Sequence, residues 1–161
     1  MASIPSPVIT RDNVASYGLP VETIKFAHKL FHAAANGDIA FVLSVIDAGL
    51  PVNLTNAQGN TLLMQAAYAN HTELVKELIK RGADPNRLND RGQSIIAGAV
   101  FKRCDDVVNV LLENGADPRL GRPTAIEVAY TAGREQAMFD ILGAREGDVP
   151  ENPKVWDTLG Y

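Results

Sequence analysis

The stretch Asn56-Ala-Gln-Gly-Asn-Thr-Leu-Leu63 nearly repeats 33 residues later as Asn89-Asp-Arg-Gly-Gln-Ser-Ile-Ile96. The two units close on similar pentads, Gly82-Ala-Asp-Pro-Asn86 and Gly115-Ala-Asp-Pro-Arg119, which are again 33 residues apart. Self-similarity at a fixed period indicates a repeat architecture, in which each unit is too small to bury its own apolar face and stacks on its neighbours. The sequence therefore predicts a solenoid with a long surface rather than a pocket, suited to binding another macromolecule.

The apolar residues of each unit have the spacing of helices that face a core. Val107, Val108, Leu111 and Leu112 fall at i, i+1, i+4 and i+5, on one face of a helix. A threonine or serine precedes three of the apolar runs, where its side-chain oxygen can satisfy free amides at a helix start. A glycine follows three of the second helices, where left-handed backbone is needed. The capping residues are Thr61, Ser94 and Thr124, and the glycines are Gly49, Gly82 and Gly115.

The second unit resembles the ankyrin repeat, a turn plus two antiparallel helices of about 33 residues with a Thr-Pro-Leu-His-x-Ala signature. It reads Thr61-Leu-Leu-Met-Gln-Ala-Ala67, so leucine replaces the usual proline and methionine the usual histidine. The third unit reads Ser94-Ile-Ile-Ala-Gly-Ala99 at the same positions. The resemblance implies an all-α ankyrin-repeat solenoid of stacked helix–turn–helix units with short β-turn tips.

The pattern extends to both sides of these two units. A degenerate unit comes before them, with His28-Lys-Leu-Phe-His-Ala-Ala34, and a shortened one follows, with Thr124-Ala-Ile-Glu-Val-Ala129 and no closing pentad. The first helix is expected to be lengthened at its start and to span about residues 20–35. We expect an extended arm at 1–22, a repeat domain at 23–143 with units near 23–55, 56–88, 89–121 and 122–143, and a tail at 144–161.

Both ends of the array depart from the repeat pattern, as the ends of a solenoid must if stacking is to stop. Trp156 and Tyr161 are unexpected in a tail that ought to be solvated. We expect Trp156 to cover the apolar flank of the last repeat. A partner-binding peptide and a disordered tail are the alternatives.

Composition excludes several classes of function. The net charge of −4, with both signs interspersed, argues against nucleic acid, which would favour a basic stripe. No apolar run approaches the roughly 18–20 residues that span a membrane. The first residues, Met1-Ala-Ser-Ile-Pro-Ser-Pro7, lack the basic start and apolar core of a secretory signal, and a lone cysteine cannot form an internal disulfide. We expect a monomeric cytoplasmic protein, with the nucleus left open.

The sequence offers no catalytic constellation. His28 and His32 are four residues apart and could supply half of a metal site, but no second pair of ligands occurs near them in the repeat register. The ankyrin pattern implies that His71 makes hydrogen bonds at a turn, and Cys104 stands at the same position one repeat later. No His–Asp pair can be named that would activate Cys104 as a nucleophile. We therefore expect no catalytic residue, no metal and no cofactor.

The resemblance also implies a binding face, because the turn tips and the exposed side of the first helices form a concave surface in ankyrin repeats. Tyr68 and Phe101 occupy one position in adjacent repeats, which predicts two neighbouring aromatic rings flanked by Arg91 and Lys102. Aromatic residues and arginine dominate binding hot spots, and such a face would select an acidic or extended peptide. Alternatively the rings lie on neighbouring aliphatic residues and are only partly exposed. The candidate residues are Gln58, Asn60, Tyr68, Asp90, Arg91, Gln93, Phe101, Lys102 and Arg122, with Ala57, Ala69, Thr131 and Ala132 beside them.

Arg103 is unusual for its position. The other units have Gly37, Asn70 and Gly133 there, at a turn that favours left-handed backbone. A residue other than glycine in that conformation costs about 1 kcal/mol. Either the third turn differs or the strain is retained for function.

These observations predict a non-catalytic protein–protein interaction module that acts as an adaptor, an inhibitor or a chaperone of one partner. The alternative is an accessory or immunity-type protein that supports a neighbouring enzyme or toxin. An enzyme is the remote alternative, since it would need two or more converging acid, base or metal groups.

Overall fold

The computed structural model describes residues 20–151 of the 161-residue chain. In that part of the chain eight helices follow one another in four pairs, which we number as repeats 1 to 4. The first helices of the pairs are α1 (Val21–Asn36), α3 (Leu62–Tyr68), α5 (Ile95–Phe101) and α7 (Ala125–Thr131). The second helices are α2 (Ile39–Asp47), α4 (Thr72–Lys80), α6 (Asp105–Glu113) and α8 (Glu135–Leu142).

The predicted all-α solenoid is confirmed. The first helices contact one another in the order α1, α3, α5, α7, and the second helices α2, α4 and α6 contact one another in the same order, so the repeats stack as two helical layers. The longer first helix was predicted for residues 20–35, and α1 spans Val21–Asn36. Residues 1–19 and 152–161, which hold most of the predicted arm and both Trp156 and Tyr161, lie outside the described residues.

One apolar core runs through the stack. Leu74 and Leu78 of α4, and Val107 and Leu111 of α6, have no exposed surface. Burying a side chain of this size contributes about 1.5–3 kcal/mol relative to leaving it in water. Because much of this burial occurs between neighbouring repeats, each repeat depends on the next for its stability.

The predicted helix caps are present. The hydroxyls of Thr61 and Ser94 each accept a hydrogen bond from the backbone N–H three residues further on, at 3.2 Å. Thr124 forms a reciprocal pair with Glu127, whose backbone N–H donates to the Thr124 hydroxyl (3.2 Å) while its carboxylate accepts from the Thr124 N–H (2.8 Å). The three glycines predicted after second helices have φ between 85° and 108°, the left-handed region that they were expected to occupy.

Two asparagines join successive repeats at the loops that follow the second helices. The side-chain amides of Asn53 and Asn86 donate to the carbonyls of Gly82 (3.3 Å) and Gly115 (2.9 Å). Their Oδ1 atoms accept from the backbone N–H two residues beyond each glycine, at 2.9 and 2.7 Å. Arg119 stands at the same position in the next repeat, and its side chain donates to the carbonyl of Gly143 in the loop that follows α8 (2.8 Å). The loops are therefore held at a fixed spacing along the stack.

Candidate protein-binding surface

The β-turn tips between repeats are closed by asparagine side chains. In the tip of repeat 2, Asn56 Oδ1 accepts from the backbone N–H groups of Gln58 (2.9 Å) and Asn60 (3.1 Å). In the tip of repeat 3, Asn89 Oδ1 accepts in the same way from Arg91, at 3.0 Å. An isolated bridge closes each tip at its base. The side chains on these tips are therefore carried by ordered backbone.

The tips of repeats 2 and 3 are also bonded to each other. The backbone N–H of Asp90 donates to the carbonyl of Gln58 (3.0 Å), and Asn89 Nδ2 donates to Asn60 Oδ1 (2.9 Å). One of these bonds joins backbone atoms and the other joins side chains. Two separate hydrogen bonds therefore fix the position of one tip relative to the other. A ligand that spans both tips would meet a surface that is already organised.

Tyr68 lies against the first helix of the next repeat. Its hydroxyl donates to the carbonyl of Ser94 (3.3 Å), and its ring lies where a Cβ at Gly98 would collide with it. The glycine in Ala97-Gly-Ala99 thus makes room for an aromatic side chain as well as for a close helix approach. Tyr68 is half-buried, which agrees with the interpretation that the ring packs on its neighbours. Phe101, at the same position one repeat later, is 41% exposed.

A cavity of about 300 Å³ opens between the tips and the C-terminal ends of the first helices. We call it the tip groove, and three consecutive repeats contribute to it. Two of its side chains are cations, Arg91 and Lys102, and none of its lining residues is acidic. The protein as a whole carries a net charge of −4, so the groove has the opposite sign to the molecule. The lining residues are Ala35, Gln58, Asn60, Gln65, Tyr68, Ala69, Asn89, Arg91, Gln93 and Lys102.

Six of the nine predicted binding residues line the tip groove, and three lie elsewhere. The carboxylate of Asp90 packs where a Cβ at Gly59 of the neighbouring tip would collide with it. Phe101 lies at the end of α5. Arg122 has an exposed side chain, and its backbone N–H donates to the carbonyl of Gly92 (3.0 Å), which ties the start of repeat 4 to the tip of repeat 3.

Gln93 differs from the other residues of the groove because it is only 6% exposed. Its Oε1 accepts from Asn89 Nδ2 (2.8 Å), and its backbone N–H donates to Asn89 Oδ1 (3.0 Å). Its side chain thus holds the tip together and presents little surface to a partner. The resemblance to ankyrin repeats implied that Gln93 is a variable surface residue. It gave no indication that Gln93 pairs with Asn89.

Arg103 holds left-handed backbone, with φ of 60°. The equivalent residues Gly37, Asn70 and Gly133 have φ of 74°, 62° and 65°, so the turn of repeat 3 does not differ from the others. Of the two explanations offered for Arg103, a different turn is therefore wrong. The strain is present in the folded protein, and the exposed side chain of Arg103 lines a second cavity of about 610 Å³.

The histidines of α1 line a third cavity, of about 350 Å³, which lies beside Gln58. His28 and His32 are both exposed, and His32 Nδ1 is 2.8 Å from the side-chain nitrogen of Asn36. Across residues 20–151, no group of three or more histidine, cysteine, aspartate or glutamate side chains is placed to hold a metal ion. No helix in the same part of the chain is both long and apolar enough to cross a membrane.

His71 and Cys104 each stand immediately before a second helix, at the same position of successive repeats. His71 Nε2 donates to the carbonyl of Ala35 in the preceding repeat (2.8 Å), so its hydrogen bond joins two repeats. Cys104 is buried, and burial together with the neighbouring Asp105 raises the pKa of its thiol. A raised pKa disfavours the thiolate, which is the nucleophilic form.

Arg134 is a residue whose role the sequence did not reveal. It is 8% exposed, its Nη1 donates to the carbonyl of Val100 (2.9 Å), and its Nη2 contacts both carboxylate oxygens of Asp105 at 2.7 and 2.8 Å. Like His71, it stands immediately before a second helix and bonds back to the preceding repeat. The sequence offered one indication of this role, which is the position of Arg134 in the repeat. Arg134 stands where repeats 2 and 3 have His71 and Cys104.

Comparisons with known proteins agree with this architecture. A family model described as ankyrin repeats (3 copies) matches residues 30–121, which is more than half of the chain. The ankyrin repeat protein PA3287 of Pseudomonas aeruginosa is 41% identical over 58 residues, or 36% of this chain and 34% of that protein. The crystal structure of the human ASB11 ankyrin repeat domain matches 77% of the chain, with a TM-score of 0.65 and 28% identity. That match covers 57% of the human chain, so this chain spans only part of the length of either relative.

Proposed function

The chain belongs to the ankyrin repeat family, and we propose that it is a non-catalytic module that binds one protein partner through the tip groove. Ankyrin repeats are generally protein–protein interaction modules. The observation that supports this site is that three repeats converge on one groove, which contains six of the residues singled out from the sequence. An adaptor, an inhibitor or a chaperone of a single partner would each use such a surface.

The chemistry of the groove favours an acidic, extended peptide segment of the partner. Arg91 and Lys102 supply positive charge, and Tyr68 supplies an aromatic edge. The amide side chains around them can bond to a peptide backbone, since each amide has both donors and an acceptor. Like charges near the groove would repel a basic segment, so charge also contributes to the choice of partner.

The ordered tips support tight binding of such a segment. A loop that must be fixed on binding costs conformational entropy, whereas a surface that is already fixed avoids most of that cost. Asn89 fixes the tip of repeat 3 and also bonds to Asn60 in the tip of repeat 2. We propose that the free protein holds the groove in its binding geometry, as a cytoplasmic or nuclear monomer that binds neither nucleic acid nor membrane.

An accessory or immunity-type protein is the second candidate, and it differs only in the identity of the partner. If the captured partner is an enzyme or a toxin that the chain supports or neutralises, this candidate is favoured. Catalysis by the chain itself is not part of the proposal, which rests on the groove as a binding surface.

The test is affinity capture from the source cell with an Arg91→Ala/Lys102→Ala double variant. We expect the partner bands to be lost in this variant and to weaken with salt for the intact protein, because screening reduces charge attraction. The matched control is Arg87→Ala/Arg145→Ala, which removes two exposed positive charges outside the groove and should retain the partner. Partner bands that survive in the first variant, or that disappear equally in both, would contradict the groove as the site.

Two further variants separate loss of binding from loss of folding. Phe101→Ala removes an exposed ring and should change the free energy of unfolding by about 0.5 kcal/mol or less. Leu111→Ala removes a fully buried side chain and should cost about 2–5 kcal/mol. Phe101 lies outside the tip groove, so Phe101→Ala should retain the partner, and a loss of capture counts against the groove only if the variant unfolds at the same urea concentration as the original protein.

A further inference from the structure

The outer side of repeat 4 presents apolar residues at positions that are buried in the inner repeats. Counted from the start of the helix pair, Ile141 stands where repeats 2 and 3 have Leu78 and Leu111. Both leucines have no exposed surface, whereas Ile141 is 44% exposed. Tyr130 is 41% exposed, although Val100 at the same position in repeat 3 is fully buried. We call Tyr130, Ala137 and Ile141 the end face.

The chain leaves α8 by the same kind of turn as it leaves α6, two residues sooner in the register of the repeat. Gly143 is left-handed, with φ of 62°, and the backbone N–H of Ala144 donates to Phe139 O (2.9 Å). The same bond joins Ala116 N and Leu111 O at the end of repeat 3 (2.9 Å). The segment that follows α8 therefore begins with the turn geometry that also ends the inner repeats.

A second set of contacts holds this segment on the preceding loop. Arg119 donates to both carboxylate oxygens of Asp148, at 3.0 and 2.6 Å, and to the carbonyl of Gly143 at 2.8 Å. Ala144 and Val149 are half-buried against the core. Residues 143–149 are thus fixed on the loop that follows repeat 3, and the next residues start from there.

We propose that residues 152–161 cover the end face, with Trp156 as their main apolar contact. One 33-residue period after Thr124, the residue before α7, is position 157, so Trp156 falls close to where the first helix of a next repeat would begin. The segment also carries Val155, Leu159 and Tyr161. Apolar residues at this position remove from water the surface that a fifth repeat would otherwise bury.

The fluorescence of Trp156 tests the proposal directly, because it is the only tryptophan of the chain. In the full chain we expect its emission to be shifted to shorter wavelength, and its quenching by acrylamide to be weaker, than for N-acetyltryptophanamide. Ile141→Asp places a charge on the end face and should move both values toward those of the free amide. The matched control is Val21→Asp at the opposite end of the stack, where the side chain is 62% exposed, and it should change neither value.

Three outcomes would overturn the proposal. The first is Trp156 emission and quenching in the full chain equal to those of the free amide. The second is a shifted emission that Ile141→Asp leaves unchanged. The third is a shift that disappears on dilution, which would assign the end face to a second copy of the chain. If circular dichroism shows that Ile141→Asp loses helix, Ala137→Asp replaces it as the test variant. The comparison of the full chain with the free amide requires no variant.

Deletion of residues 152–161 provides an independent measurement. It retains Asp148 and Val149, so the contacts of Arg119 and of the segment 144–151 persist. We expect the urea midpoint, followed by circular dichroism, to fall below that of the full chain. Superimposable unfolding curves would show that these residues do not cover the end face.

Discussion

Replacing Arg103 with glycine should stabilise the protein, because Arg103 holds left-handed backbone that glycine adopts without a steric penalty. Its φ of 60° matches that of Gly133, at 65°, in the next repeat, so the turn itself needs no change to accept glycine. The backbone N–H of Arg103 donates to Val100 O (3.1 Å), and glycine keeps that bond. The side chain is exposed, so little packing is lost.

The size of the effect is the difference between two opposing contributions. Left-handed backbone costs a residue other than glycine about 1–2 kcal/mol. Glycine makes the unfolded chain more flexible, which costs about 0.4–1 kcal/mol on folding. The net gain from Arg103→Gly should therefore lie between about 0 and 1.6 kcal/mol, with a central value of about 0.8 kcal/mol. For a protein of this size that corresponds to an increase in melting temperature of about 2 °C.

Thermal and urea unfolding followed by far-ultraviolet circular dichroism would measure this gain. Lys102→Gly is the control, since Lys102 has right-handed backbone (φ −76°, ψ −3°) and glycine there should destabilise by about 0.5–1 kcal/mol. Adjacent residues should thus respond to the same replacement with opposite signs. An Arg103→Gly variant that melts at or below the temperature of the original protein would refute the strain argument. A variant that is more stable but captures less partner would show that the strain is retained for binding.

Three further predictions concern contacts between repeats. Gly98→Ala should destabilise the fold by about 1–3 kcal/mol in urea unfolding, because its Cβ would collide with the ring of Tyr68, and an unchanged midpoint would contradict that close approach. Arg134→Met should cost about 2–3 kcal/mol, since a buried cation and its bonds to the preceding repeat are lost, and a midpoint equal to that of the original protein would show that the pair adds nothing. The hydrogen bond from Arg119 holds the pKa of Asp148 below its ordinary range, so this contact stabilises the fold above the unfolded-state pKa of about 3.9 and is lost as pH falls through the folded-state pKa. Asp148→Asn should therefore be less stable than the original protein at neutral pH and converge with it in acid, and a difference that stays constant with pH would argue against the ion pair.

The features that recur with the repeat were predictable from the sequence. Thr61 and Ser94 could be assigned as caps because a hydroxyl just before an apolar helical run has one local use, and both bonds are present. Tyr68 and Phe101 could be placed at one position because their spacing equals the repeat. Such features depend on residues three or four apart, or on the period itself. Both are visible in a single chain.

The features that were missed depend on a second repeat. Arg134 finds its carboxylate partner, Asp105, 29 residues earlier, and nothing local in the sequence indicates that the arginine is buried. Gln93 was expected at the surface, but Asn89 draws its side chain into the tip. In both cases the departure from the pattern is a polar residue whose bonds are satisfied by tertiary contacts. The repeat pattern gives the position of such a residue in its unit, but it does not indicate which residue will bond to it.

Contacts between repeats also decide which variants can separate a loss of binding from a loss of folding. Arg91 and Lys102 line the groove with exposed side chains, so their replacement removes its positive charge, and the Arg87→Ala/Arg145→Ala variant controls for the loss of charge elsewhere. Tyr68 and Gln93 line the same groove but also bond to the backbone or side chains of repeat 3. Their replacement would alter the groove and the contacts that hold it together, so a loss of capture with either would have two explanations. The paired charge variants therefore give the clearer test of the interface, and the aromatic residue becomes informative only once its effect on unfolding has been measured.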